Sequence, residues 1–325
     1  MESNHEVDSL SFPKHGRLTC PADPMIRFSL PTSIQYQAVV FALVGAITTF
    51  AEETAKAPIW ALSDEDSTVY LAGSVHLLRK QDMPIPPAFD AVYAQSEELV
   101  FELDMAEMMN PASAFQIRKQ GTLPAGEFLS DHLSEDTIAA LKAYLKDQDM
   151  RVDMFDRFTP GMVYITLGSL EAIRHGARPE LGLESTFFQR SVKDGKPSRG
   201  LETMEYQMAR FNELEIATVD QLILDTLEEA DNAEQALDEI IAAWKSGDPD
   251  QIAELIVDKM SEDADVQRIL LTERNRNWIP EIEKALAGDK DTLFLVGAAH
   301  LAGENSVIEL LREKGYEPRH LDAAP

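Results

Sequence analysis

The 325-residue chain has one cysteine, Cys20, and it lies close to the N-terminus. A fold built from the rest of the chain therefore has no disulfide, thiolate nucleophile, iron–sulfur cluster or cysteine-based zinc site. Basic residues are scarce as well. Lys and Arg number 29 against 57 Asp and Glu, for a formal net charge of −28. Such a surface repels phosphate backbones and anionic lipid headgroups, which argues against nucleic acid as a partner. Gly and Pro, at 16 and 17, are not enriched, so the bulk of the chain does not read as disordered.

Long hydrophobic runs are also missing, with one partial exception. Residues 38–51 read AVVFALVGAITTFA, a run of signal-peptide length that is too short to span a bilayer comfortably. It ends in Thr49-Phe50-Ala51, with small residues where a signal peptidase reads, and Glu52 and Glu53 follow. Met25-Ile26-Arg27 supplies a short positive segment upstream, whereas residues 1–24 are polar and carry Glu2, Glu6, Asp8 and Asp23. The expectation is a leader over 1–51 with its true start at Met25. A single domain over 52–325 would then be exported to the periplasm or the extracellular space. Contact with a membrane is expected only through an uncleaved leader.

Downstream, apolar patterning predicts strands at Ser67–Ala72, Glu98–Leu103, Pro197–Glu202 and Thr292–Val296, with Tyr316–Leu321 as a closing edge strand. Helices are expected at Phe89–Ser96, after the Ser134 cap, over 160–175, through the acidic stretch 204–245, after Asp248-Pro249, and over Glu262–Leu286. A last helix, Glu304–Lys314, should end at Gly315. Strand–turn–helix units at both ends with helices between predict an α/β fold. Its central mixed sheet would be flanked by helices and carry a helical insertion.

Two segments match. Val69-Tyr70-Leu71-Ala72-Gly73-Ser74-Val75-His76 and Leu293-Phe294-Leu295-Val296-Gly297-Ala298-Ala299-His300 are both apolar strands that break at a glycine and place a histidine three residues on. Ligands in open α/β sheets gather at the carboxyl ends of strands, and glycine allows a sharp turn and close approach there. If these strands are neighbours, two imidazoles converge as metal ligands, bases or haem ligands. Glu102 ends a strand and is the carboxylate best placed to join them, with Glu184 and Glu202 as weaker candidates for a ligand or a general base. Arg274, in Thr272-Glu273-Arg274-Asn275, could stabilise an oxyanion, or could simply pair with Glu273 on a helix surface. His132, His175 and His320 lie on helical or terminal segments without evident partners and read as surface or structural.

These residues resemble the TraB/GumN family, in the superfamily that includes the Tiki metalloproteases. The resemblance rests on Gly73-Ser74-Val75-His76, on Val100–Asp104, and on Gly200-Leu201-Glu202-Thr203 with Gln207. It continues through Glu273-Arg274-Asn275 with Trp278, Val296–Gly303, and Leu310-Leu311 to Gly315-Tyr316, covering about 58–321. It implies that His76, His300, Glu102 and Arg274 carry the site, with His76, Glu102 and His300 holding a divalent metal such as manganese, cobalt or zinc. It also implies variety. Tiki members are described as divalent-metal proteases, while more distant relatives include histidine esterases thought to work without metal and a haem-binding lipoprotein. The expected function is therefore an exported metal-dependent hydrolase acting on a peptide or a small molecule. A metal-free histidine hydrolase and a non-catalytic haem- or peptide-binding protein are the alternatives.

Overall fold

The computed structural model describes residues 56–261 and 263–321. The expected leader, Cys20 and the Met25 start lie outside the described residues. Six strands form one sheet: β1 (Ile59–Ser63), β2 (Thr68–Ser74), β3 (Glu98–Leu103), β4 (Ser198–Glu202), β5 (Thr292–Gly297) and β6 (Arg319–His320). Their order is β4-β3-β5-β2-β1-β6. β4, β3, β5 and β2 run parallel, while β1 is antiparallel to both β2 and β6. This is the mixed, helix-flanked α/β sheet expected from the sequence. β1 was not expected as a strand, and the closing edge strand shrinks to two residues.

The central strands read as apolar runs because helices cover both faces of the sheet. Alternation then sorts their side chains. Tyr70, Ala72, Leu99, Phe101, Leu293 and Leu295 pack on one face against the helices Pro87–Gln95, Leu183–Asp194 and Ala233–Ser246. Val69, Leu71, Val100, Phe294 and Val296 pack on the other against Glu273–Leu286 and Val307–Glu313. A third core lies away from the sheet. Leu141, Leu145, Val163 and Leu167 come from the connection between β3 and β4. Val219, Ile223 and Ile269 come from the connection between β4 and β5. The expected helical insertion is thus built by two successive connections that share one core.

The last two expected helices begin later than expected. The helix expected at Glu262 starts at Ala264, capped by Asp263, and passes through a π-helical turn at Arg268–Thr272 before Glu273–Leu286. The last helix begins at Val307, with Ser306 as cap, because Gly303 and Asn305 adopt positive φ and break the chain after Ala298–Leu301. Gly315 ends that helix at φ 91°, as its position predicts. Among the described residues no helix is long and apolar enough to cross a membrane.

Candidate active site

β2 and β5 are parallel neighbours in which Gly73 pairs with Val296 and Ser74 with Gly297. Both Gly-x-x-His turns therefore leave the sheet at the same edge. β3 lies on the other side of β5, and β4 beyond it. The four parallel strands deliver Ser74 and His76, Gly297 and His300, Glu102, and Glu202 to one carboxyl edge.

The first turn is pinned from above. Trp244 Nε1 donates to the carbonyl of Gly73 at 2.9 Å, and the Leu183 amide donates to that of Val75 at 3.2 Å. Gly182 approaches so closely that a Cβ there would lie 2.0 Å from the His76 carbonyl oxygen. This docking brings Glu184, in the first turn of its helix, onto His76. Glu184 Oε1 pairs with His76 Nδ1 at 2.9 Å and accepts a short hydrogen bond from Ser74 Oγ. The carboxylate raises the His76 pKa to about 9, and this attraction outweighs the cost of charging a partly desolvated ring. The His76 side chain is still 64% exposed, so water reaches it. For Glu184, burial pushes upward, but the imidazole and the hydroxyl pull harder and leave its carboxyl below the usual range.

The second turn is packed in. His300 is 4% exposed, and its ring lies 4.4 Å from that of Trp278. Asn275 Nδ2 donates to the Asn305 carbonyl at 2.9 Å, which leaves its Oδ1 facing His300 Nδ1 at 2.6 Å. His300 is thus protonated on Nδ1, and Nε2 carries the lone pair. That lone pair accepts from Arg274 Nη1 at 3.1 Å. Burial, followed by the Arg274 charge, drives the His300 pKa down to about 3, so the ring is neutral.

Arg274 belongs to the first turn of Glu273–Leu286 and is buried. Its Nε and Nη2 grip Glu202 at 2.9–3.1 Å, and Nη2 also reaches Glu102 Oε2 at 2.6 Å. Nη1 serves His300 and the Leu270 carbonyl. A guanidinium has five N–H donors, and these contacts use all of them. Arg274 is therefore not the helix-surface partner of Glu273, which instead pairs with Arg210 and Arg268. Glu202 is closed off too, since Trp278 Nε1 and Gln207 Nε2 donate to it at 2.9 and 3.0 Å. Glu102 Oε1 accepts from the Gly297 amide at 2.6 Å, and Gln207 reaches Oε2 at 3.1 Å. Burial raises the Glu102 pKa, but Arg274 and then His300 and His76 overcome this and hold it well below the usual carboxylate range.

These groups meet over Gly297. A Cβ placed there would lie 3.1 Å from Glu102 Oε1, 3.6 Å from His300 Cδ2 and 3.8 Å from His76 Nε2. The spot opens into a cleft of about 450 Å³ whose walls include Ile165, Met204, Met208, Phe211 and Ile256. Two larger clefts, of about 670 and 640 Å³, open among the helices Glu135–Asp147, Pro160–Arg174, Ile216–Glu228 and Ala233–Ser246 and take in none of the polar groups gathered here. The smaller cleft is the one that joins an apolar wall to convergent polar groups.

Sequence reasoning brought His76, His300, Glu102, Glu184, Glu202 and Arg274 into view, and all six lie at this edge. It undervalued Glu184, which backs His76 directly, and gave Asn275 and Trp278 no role. The signal for those two was their place one and four residues after Arg274, beside it and one helical turn on. The three remaining folded histidines do have partners: His132 pairs with Glu127, His175 with Glu171, and His320 packs at a tilt against the Trp60 ring.

The expected metal set meets a specific obstacle. His76 Nε2 and Glu102 Oε1 both border the open spot, but both His300 nitrogens are taken and Arg274 lies against Glu102. Among the described residues no group of three or more His, Cys, Asp or Glu side chains is arranged to hold a metal ion. In this arrangement His76, Glu102 and His300 do not fit a metal as a three-ligand set.

The TraB/PrgY/gumN family model matches residues 58–320. "Uncharacterized protein YbaP" of Escherichia coli strain K12 is 23% identical over 243 residues, which are 75% of this chain and 87% of that protein. "Metalloprotease TIKI1" of Homo sapiens is 22% identical, over 82% of this chain and 62% of its own length. "Metalloprotease TIKI2" of Xenopus tropicalis is 24% identical, over 78% and 58%. The chain thus spans about three fifths of the length of these two metalloproteases. No solved structure matches it.

Proposed function

We propose, from the premise that this chain belongs to the TraB/PrgY/gumN family, that it is a peptidase-like hydrolase in which His76 activates water. The observation that carries this reading is the His76–Glu184 pair. In neutral His76, Nδ1–H donates to Glu184, and Nε2 offers its lone pair to the spot above Gly297. A water there gives a proton to Nε2 as its oxygen attacks the substrate carbonyl, and Glu184 stabilises the resulting imidazolium. The imidazolium then returns that proton to the departing amine. Glu102, kept ionised, is placed to accept the water's other hydrogen and orient it. Arg274 fixes Glu102 and His300, and with every donor engaged it is assigned positioning rather than oxyanion binding. The apolar walls of the cleft favour an uncharged substrate side chain beside the scissile bond.

The names of the two metalloprotease relatives support peptide bonds as the substrate class. They also favour a second reading, in which His76, Glu102 and His300 hold manganese, cobalt or zinc. That reading requires Arg274 to release His300 Nε2. Export through the 1–51 leader is part of the proposal, and N-terminal sequencing of the secreted chain checks it.

The test is a panel of fluorogenic peptides and small esters, assayed with chelator and with added metal. Hydrolysis that survives chelation and falls about 10²–10⁴-fold in His76→Gln supports the histidine mechanism. Hydrolysis that appears only with added metal moves the assignment to the second reading. Turnover that His76→Gln leaves unchanged defeats both.

A further inference from the structure

We infer that Arg274 is a resident cation that competes with divalent metal for Glu102 and His300. The inference concerns the proposed hydrolase site but rests on the contacts of Arg274 alone. Glu102 Oε1 and His300 Nε2 lie 3.8 Å apart, close enough for one ion to bridge them. Arg274 joins the same two side chains itself, with Nη2 on Glu102 Oε2 at 2.6 Å and Nη1 on His300 Nε2 at 3.1 Å.

Two features keep it there. The first is the histidine tautomer. The Asn305 carbonyl can only accept, so it fixes the Asn275 amide, and Asn275 Oδ1 in turn fixes the proton on His300 Nδ1. The one lone pair His300 can offer thus points at the guanidinium. The second is the anchor. Glu202 holds Arg274 through both Nε and Nη2, and Trp278 holds Glu202 while its ring lies 5.1 Å from the guanidinium carbon. A guanidinium stays charged at any accessible pH, so a dication entering here meets a fixed positive charge and an occupied lone pair. The permanent cation supplies the charge balance for buried Glu102 that a metal would otherwise supply.

The test measures metal binding, not turnover, so it stands even if no substrate is found. Mn²⁺ is titrated into the chain and free Mn²⁺ is read by electron paramagnetic resonance. Wild type should retain essentially none after desalting. Arg274→Gln should take up close to one equivalent, and the further change His300→Ala should abolish that uptake. Near-stoichiometric Mn²⁺ in wild type that disappears in His300→Ala would overturn the inference, as would a folded Arg274→Gln that gains nothing. If near-ultraviolet circular dichroism finds Arg274→Gln unfolded, Glu202→Gln decides, since it keeps the guanidinium but weakens its anchor. It should bind Mn²⁺ at least about tenfold more tightly than wild type; unchanged binding in the folded variant overturns the inference.

Discussion

A histidine held at one nitrogen by a carboxylate titrates high and, once deprotonated, offers the other nitrogen as a base. His76 should therefore show an imidazole midpoint near 9 by NMR. Glu184→Gln removes the charge that favours the imidazolium, so the midpoint should fall toward the ordinary 6.5. In the proposed mechanism the base form acts, so hydrolysis should rise with pH toward about 9, and Glu184→Gln should move that rise to lower pH. A midpoint that stays put in the variant would detach Glu184 from His76. Gly297 gives a second test. Its φ of −52° suits any residue, so alanine there strains no backbone. Its Cβ would instead crowd Glu102 Oε1 at 3.1 Å and fill the space that the proposed mechanism gives to the attacking water. Gly297→Ala should melt within a few degrees of wild type while losing at least about tenfold in kcat/KM. Equal losses in Gly297→Ala and Gly73→Ala would refute this, since a Cβ on Gly73 meets the backbone of Ala298 at 3.0 Å and acts on stability instead.

The helix Glu273–Leu286 presents Arg274, Asn275 and Trp278 to the sheet edge, and its first turn holds the site together. Arg274→Ala would remove the buried guanidinium that both Glu102 and Glu202 face, a loss on the order of 3–5 kcal/mol. Urea unfolding measures it. A change no larger than that of a typical exposed ion pair would mean the carboxylates find other partners. This helix also marks how far the sequence could be read. β3 and β5 fall where apolar runs place them, and Ser134, Asp248 and Gly315 end or begin helices as their side chains or φ dictate. Those signals are local. The π-helical turn at Arg268–Thr272 that feeds Arg274 into the site has no such signature. Nor does any spacing announce that Arg274 meets Glu202, or that Glu184 meets His76. Those contacts depend on helix docking, and the repeated glycine–histidine turn pointed to the right edge of the sheet without revealing which nitrogen was spoken for.

Over the whole molecule, His300 and Glu102 make stability depend on acid in the same direction. The folded pKa of His300, about 3, lies below its unfolded 6.5, so the unfolded chain binds the extra proton between those values. Stability should fall as pH drops below about 6.5. Glu102, also lowered, adds to the loss once its unfolded counterpart protonates below about 4.5. Melting temperatures recorded from pH 7 to 4 should decline by several degrees, and His300→Gln should flatten the upper part of that decline, where Glu102 does not yet titrate. A profile level from 6.5 to 5 in wild type would contradict a neutral buried His300.

Chain order has one more effect. β5 lies between β3 and β2 in the sheet, yet it begins at Thr292, after every other site-bearing segment has been made. During synthesis β2 and β3 wait without the strand that joins them, and Glu102 waits without the Gly297 amide. A chain cut short before β5 carries His76, Glu184 and Arg274 but lacks Gly297 and His300, around which those side chains gather.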